Sequence, residues 1–159
     1  MSGIFATAGS KVFIGQTMSP KSTDFIESDF QGMTWTEIAW VETIGQFGDT
    51  SAEITFDAIG EQRTQKLKGT RNAGNMELVC GIDSSDPGQI ALRAAEATPF
   101  DYAFRVDFND APPGGTPSQR FFIAKVMSAA EQLDGANNVV RLNATLAINS
   151  NIVAVDPSP

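Results

Sequence analysis

Apolar and polar residues alternate with a period of two along four segments of the chain. The clearest is 100–108, where aromatic and aliphatic residues share one face while Asp101, Arg105 and Asp107 share the other. Such alternation predicts β-strands with one buried and one polar face. The four predicted strands are 51–59, 75–82, 100–108 and 138–149.

Four further segments show weaker strand patterns. They are 11–16, 35–44, 63–68 and 119–127. The last carries Phe121, Phe122, Ile123 and Val126, so both of its faces are apolar. This pattern predicts a central strand or one that meets another subunit.

One segment has the features of a helix. Asp86 is the predicted N-cap, Pro87 the first helical residue, and Gln89 completes the spacing of a capping box. Thr98 precedes Pro99, which ends the helix because a residue before proline avoids the α conformation. The remaining face is rich in alanine, which lets the helix lie close to a sheet.

These elements predict one mainly β domain. We expect a β-sandwich or barrel of about eight strands with one flanking α-helix over residues 11–149. Residues 1–10 and 150–159 are small, polar or rich in proline, and are predicted to be N-terminal and C-terminal arms. The residues from Gln46 to Thr50 are predicted to be the tip of a long hairpin.

Composition excludes several kinds of chemistry. The 159 residues include no histidine and one cysteine, Cys80. This excludes imidazole catalysis, zinc sites that need histidine, and intramolecular disulfides. The formal charge of −8 disfavours tight nucleic-acid binding, which depends on Lys and Arg at the phosphates. No apolar run approaches the roughly 20 residues of a membrane helix, so no membrane partner is expected.

The remaining motifs favour turns and solvated surfaces over catalysis. The glycines at 69 and 74 lack the following Lys and Ser/Thr of a phosphate loop, and Ala94 stands where a calcium loop needs a bidentate Glu. Cys80 is predicted to be a buried structural thiol. We therefore expect no enzyme, cofactor or metal site. A small-ligand β-barrel and a carboxylate-only hydrolase stay open as alternatives.

The order of segments resembles the major tail tube protein of long, flexible-tailed bacteriophages, close to the lambda-like family. The resemblance is carried by residues 40–49, 53–56, 63–78 and 86–96, and it extends over nearly the whole chain. It implies that six copies join their sheets into a ring with a continuous β-barrel lining. Rings then stack into the hollow tube through which the genome passes. Related secretion or gene-transfer machines share the fold and are an alternative setting.

The resemblance also directs attention to particular residues. Hairpins and terminal arms of the family make contacts between rings, and the basic stretch near residue 66 can meet an acidic neighbour. The predicted contacts between subunits or rings are Gln46, Phe47, Gly48, Asp49, Lys66, Lys68 and Arg71. The predicted lumen-facing acids, which would repel DNA phosphates, are Glu53, Asp57, Asp101 and Asp107.

Partners and location follow from the same resemblance. They are further copies of the chain, a tail tip or initiator complex, a tape measure protein and a tail terminator, with DNA passing through without specific binding. The implied location is the virion tail, assembled in the host cytoplasm.

Overall fold

The computed structural model describes residues 3–159 as ten β-strands, one α-helix and one 3₁₀ turn. All eight predicted strand segments and the predicted helix are present. The strands are β1 Lys11–Thr17, β2 Thr36–Ile38, β3 Val41–Thr43, β4 Thr50–Phe56, β5 Gln65–Asn72, β6 Asn75–Gly81, β7 Tyr102–Asp107, β8 Gln119–Gln132, β9 Arg141–Ile148 and β10 Val153–Val155. The helix α1 is Pro87–Glu96, and the 3₁₀ turn is Glu27–Phe30.

Two antiparallel sheet halves share the long strand β8. Residues 119–124 of β8 pair with β7 and β10, and β7 continues through β1 to β2. We call these strands the first sheet half. Residues 124–132 of β8 pair with β9, which continues through β6 to β3. We call these the second sheet half. β4 and β5 form a separate two-stranded hairpin.

The main core lies between the two sheet halves and α1. Val12, Phe104 and Phe122 of the first half belong to one buried cluster with Leu78 and Leu146 of the second. The alternation predicted for β6 and β9 is confirmed, because every second residue is buried along both. The mainly β fold class with one flanking helix is therefore confirmed.

A second apolar cluster covers the outer face of the first sheet half. Phe121 and Ile123 of β8 point into it, and the 3₁₀ turn closes it with Phe30 stacked at 5.2 Å from the Phe121 ring. This explains why both faces of the predicted strand 119–127 are apolar. Within residues 3–159, the second sheet half has no such cover on its outer face.

Helix α1 begins as predicted, but one of its polar residues has another role. The Asp86 side chain accepts a hydrogen bond from the Gln89 backbone N–H at 3.0 Å. Gln89 itself is 1% exposed, and its side chain binds the backbone of Ala39, Gly81 and Asp83 instead of returning to Asp86. Gly88 allows a close approach to β2, because a Cβ there would lie 2.1 Å from the Glu37 carbonyl oxygen.

Two strand predictions need correction. The segment 35–44 is broken into β2 and β3 by Trp40, whose φ of 61° is left-handed. That conformation costs a residue with a Cβ roughly 1–2 kcal/mol. The pattern of 51–59 predicts one buried face, yet every residue of β4 is exposed. Among the residues that the structure describes, β4 pairs only with β5 and nothing covers the hairpin.

The terminal segments differ from one another. Residues 3–10 form no helix or strand, although the Phe5 ring lies 6.0 Å from that of Phe108. The predicted C-terminal arm instead lies along the first sheet half: β10 pairs with β8, and Ser158 forms a bridge with Thr116. Met1 and Ser2 of the predicted N-terminal arm lie outside the described residues. Over 3–159, the helices are all too short or too polar to cross a bilayer.

Candidate assembly surfaces

In the described part of the chain, the second sheet half leaves one long strand edge without a strand partner, although α1 packs against β8 and Arg93 lies 3.8 Å from Glu131. β8 pairs with β7 only as far as Ala124, while its pairing with β9 continues to Gln132. Within residues 3–159, the backbone of 125–132 therefore has no strand partner on the β7 side. Met127, where the register with β9 shifts, is 59% exposed on this stretch. An open edge of this kind is a template for pairing with another chain.

The uncovered outer face of the second sheet half is polar and internally hydrogen bonded. The Thr145 hydroxyl donates to Glu77 at 3.0 Å, and the Asn143 amide donates to Gln132 at 2.9 Å. The guanidinium of Arg141 pairs with Glu42. Charges of both signs are thus held in place on a face made largely of amides and hydroxyls.

The β4–β5 hairpin carries different chemistry on its two faces. Ile54 and Leu67 lie directly opposite each other, and Ile54, Phe56 and Leu67 are 48%, 61% and 60% exposed. On the other face, Lys66 lies 3.3 Å from Glu53, and both are exposed. No other part of the chain between residues 3 and 159 covers this apolar face.

The predicted contact residues fall into two groups. Lys66, Lys68 and Arg71 lie on β5 and are exposed. The prediction that residues 46–49 form a hairpin tip is wrong, because they connect β3 to β4. The tip of the β4–β5 hairpin lies at 57–64. The reason is Phe47, which packs against the main core with its ring 5.7 Å from that of Phe122. Asp49 lies outside the core and forms an ion pair with Arg71 at 2.7 Å.

The four predicted lumen acids do not share one surface. Glu53 and Asp57 are exposed on and beside β4. Asp101 is only 5% exposed and pairs with Lys125 at 2.9 Å, so it is not on the solvated face that the alternation predicted. Asp107 is half-buried beside Arg105, with 2.9 Å between Oδ1 and Nε. The pattern places Arg105 and Asp107 on one face of the same strand, but it could not show that Lys125, on β8, pairs with Asp101.

An open apolar groove lies at the β3 end of the second sheet half. It has a volume of about 600 Å³ and is lined by Trp40, Ile82 and Val139, with Asp83 and Glu42 at its rim. The Trp40 indole N–H donates to Asp83 at 3.2 Å, yet the side chain is 70% exposed. We call this surface the Trp40 groove. Sequence reasoning misses this groove because the pattern of 35–44 predicts one continuous strand through Trp40.

The described residues offer little for catalysis. Burial, with a smaller effect of Asp86, raises the pKa of the Cys80 thiol from 9.0 to about 11, which disfavours the nucleophilic thiolate. Where carboxyl pKa values shift, they fall, because each carboxylate accepts hydrogen bonds. These are Asp29, Glu42, Asp83 and Asp110, with Lys21, Arg141, Ser85 and Ser118 as the respective main donors. Across residues 3–159, no three potential metal-ligating side chains cluster together.

No protein-family model matches the chain, and no curated protein matches it in sequence. Solved structures do match its fold. A chain in the cryo-EM structure of the anti-feeding prophage baseplate, six-fold symmetrised, is 15% identical with a TM-score of 0.72, covering 98% of both chains. A chain of the sheath/tube terminator of an extracellular contractile injection system, in its extended state, is 10% identical with a TM-score of 0.69, covering 97% of this chain and 98% of that one.

A tail tube structure also has this fold. The SPP1 tail tube protein is 14% identical with a TM-score of 0.58, covering 92% of this chain and 77% of that one. At these identities the likeness concerns the fold. The chain therefore has the fold of proteins found in a phage tail tube and in phage-like injection assemblies.

Proposed function

We propose that this chain is a structural protein that associates with copies of itself into rings, and that the rings stack into the hollow tube of a phage-type tail. The observation that carries the proposal is the second sheet half, which combines the open β8 edge at 125–132 with an uncovered polar face. Pairing of this edge with the β3 side of a neighbour would extend one sheet continuously around a ring and remove the exposed edge. The shared fold of the tail tube and injection-assembly chains supports this role.

The polar face of the second sheet half then lines the channel. Its amides, hydroxyls and paired charges offer few free cations to DNA phosphates, and each copy contributes a formal charge of −8 to the tube. DNA would pass without specific binding. Among the predicted lumen acids, the exposed Glu53 and Asp57 stay in the proposal, and Glu77 joins them. The buried Asp101 and the half-buried Asp107, which pair with Lys125 and Arg105, do not.

Several finer features belong to the same proposal. They are six copies per ring, a non-enzymatic role without cofactor, assembly in the host cytoplasm, and a place in the virion tail with tail tip, tape measure and terminator partners. In one version of this proposal, the chain is a close relative of the lambda-like tail tube proteins. The resemblance in sequence supports that version, while the SPP1 fold likeness supports a tail tube without favouring the lambda-like kind.

The fold comparison also favours a second kind of assembly, the tube of a phage-like injection system. The two injection-assembly chains have higher TM-scores than the SPP1 tail tube chain and cover nearly all of this chain. In such a machine the same channel would carry a different cargo. The tube-forming role and the edge contact are common to both settings.

Negative-stain electron microscopy and solution mass over a concentration series test the proposal. Wild-type protein should form rings or hollow tubes, and Met127→Lys should stay monomeric because a charge on a strand edge opposes pairing. Ile90→Lys places the same charge on an exposed position of α1 and should still assemble. Tubes of Met127→Lys at the wild-type concentration would contradict the edge contact, and a wild-type protein that stays monomeric when seeded with preformed tail tips would contradict the tube.

A further inference from the structure

Met127 is the most exposed of the four methionines at positions 18, 33, 76 and 127. It is 59% exposed, whereas Met76 is fully buried, and the half-buried Met18 and Met33 pack against the second apolar cluster. Oxidation of a methionine sulfur requires contact with the dissolved oxidant, so a buried thioether is protected. The fold therefore singles out Met127 among these four side chains.

The sulfur of Cys80 does not compete with that of Met127. Cys80 is the one cysteine of the chain and is fully buried. Burial also raises the pKa of its thiol to about 11, which keeps the thiol protonated near neutral pH. Oxidants react with an accessible thiolate, and Cys80 is neither accessible nor ionised. An oxidant therefore meets the Met127 sulfur first.

Met127 lies at an irregular point of the open β8 edge. The register with β9 shifts between Val126 and Ser128, so Met127 is the extra residue of a β-bulge. It belongs to the stretch 125–132, which has no strand partner on the β7 side within residues 3–159. The exposed thioether thus lies on the edge at which a neighbouring copy would pair.

We propose that Met127 is a redox-sensitive site, at which oxidation of the thioether to the sulfoxide blocks pairing of the β8 edge with a second copy of this chain. The inference rests on the proposed function, because it takes this edge to be the contact within a ring. Hydrogen peroxide is the oxidant, and a methionine sulfoxide reductase reverses the step.

The oxidation transfers one oxygen atom and two electrons. A lone pair of the Met127 sulfur attacks one oxygen of hydrogen peroxide, and the S–O bond forms as the O–O bond breaks. The other oxygen takes up a proton and leaves as water, so the sulfur is oxidised and the peroxide is reduced. Water solvates the new sulfoxide oxygen in the monomer, whereas a closed strand contact leaves it without a hydrogen-bond donor. Oxidation therefore opposes pairing without disturbing the fold.

Peptide mapping after peroxide treatment tests the site. Cleavage after Lys and Arg places the four methionines in separate peptides, which are 12–21, 22–63, 72–93 and 126–141. In the monomer, peptide 126–141 should gain one oxygen at least ten times faster than peptide 72–93, which holds the buried Met76, and faster than the other two. Preformed tubes should protect peptide 126–141 at least tenfold, because the neighbouring chain covers the edge.

Assembly of the oxidised protein tests the effect on pairing. Oxidised wild type should keep the melting temperature of the reduced protein but need at least ten times its concentration to form rings. Treatment with the reductase should restore assembly. Met127→Leu keeps an apolar side chain without a thioether, so it should still assemble after peroxide. Met18→Leu leaves Met127 in place and should stay as sensitive as wild type.

The outcomes distinguish this site from the tube itself. The inference would be overturned if Met127 were oxidised no faster than Met18 and Met33, or if oxidised protein formed tubes at the wild-type concentration. Tubes of reduced wild type would in either case leave the proposed function standing. Tubes in which Met127 reacts as fast as in the monomer would show that rings use another edge, and would also overturn the inference. Reduced wild type that never assembles would remove both the tube and the effect of Met127 on pairing.

Discussion

Asp101 and Asp107, in the first sheet half, each form an ion pair with one basic side chain. Lys125 reaches Asp101 at 2.9 Å, and the Asp101 side chain is 3% exposed. Arg105 pairs with Asp107 while its guanidinium lies 3.9 Å from the Phe13 ring centroid. These pairings remove both acids from solvent-facing roles and make them part of the fold.

Lys125→Met should destabilise the protein because it leaves the Asp101 carboxylate buried with only a 3.4 Å amide contact from Asn149. We expect a loss of about 2–4 kcal/mol in the free energy of unfolding, measured by urea denaturation. Lys125→Arg should lose much less, and Asp101→Asn should recover part of the loss in the Lys125→Met background. Equal stability of Lys125→Met and wild type would show that the pair is not needed.

Asp110 gives the protein a dependence on pH. Hydrogen bonds from the Ser118 hydroxyl and backbone N–H hold the pKa of Asp110 below its ordinary value of 3.8. The lowered pKa means that the ionised form stabilises the fold above pH 3.8, and that this contribution is lost as the pH falls through the folded-state value.

The stability advantage of wild type over Asp110→Asn should therefore be constant near neutral pH and shrink in strongly acidic solution. Urea denaturation at a series of pH values measures it. The advantage should be smaller throughout in a Ser118→Ala background, because the hydroxyl is the main cause of the shift. An advantage that grows on acidification would contradict the assignment.

At the scale of elements, the periodicity of the sequence predicts where the strands lie better than it predicts which of their faces are buried. β6 and β9 were predicted with their buried faces because both sides of the pattern are satisfied within one chain. β4 has the same alternation, but its apolar face is exposed. Alternation predicts that one face of a strand is apolar, but it does not predict whether the same chain or another molecule covers that face. The partner of Phe47 and the break at Trp40 depend on contacts distant in sequence, and no local pattern contains them.

Gln89 shows how one side chain can join three elements. It is buried, and its amide accepts a hydrogen bond from the Asp83 N–H and donates to the carbonyls of Ala39 and Gly81. A helix-start motif alone predicts a solvated capping residue. In the fold, this residue ties α1 to the ends of β2 and β6.

Gln89→Leu should cost about 2–4 kcal/mol in the free energy of unfolding, because three half-buried backbone groups lose their partners while the volume is kept. Chemical denaturation measures the loss. Arg93→Leu, further along the same helix and partly exposed, should cost less. A smaller loss for Gln89→Leu than for Arg93→Leu would mean that water replaces the Gln89 amide.

At the scale of the whole molecule, the β4–β5 hairpin can be removed without disturbing the body, which consists of the two sheet halves and α1. β4 and β5 pair only with each other, and their paired ends at Thr50 and Asn72 are as close as antiparallel partners are, about 5 Å. Deleting 46–49, by contrast, would remove Phe47 from the core. Hairpin excision is therefore the cleaner way to separate folding from assembly.

Replacing residues 50–72 with Gly-Ser-Gly should leave a body that unfolds cooperatively and loses no more than about 1 kcal/mol, the value of the lost Arg71–Asp49 surface pair. In sedimentation velocity, the excised protein should form separate rings at most at concentrations where wild type forms tubes, because the apolar face of the hairpin is gone while the β8 edge at 125–132 is kept. Shortening only the tip at 58–62 keeps Ile54, Phe56 and Leu67 and should preserve assembly. An excised chain that is molten would show that the hairpin supports the fold, and one that still forms tubes would show that stacking uses another surface.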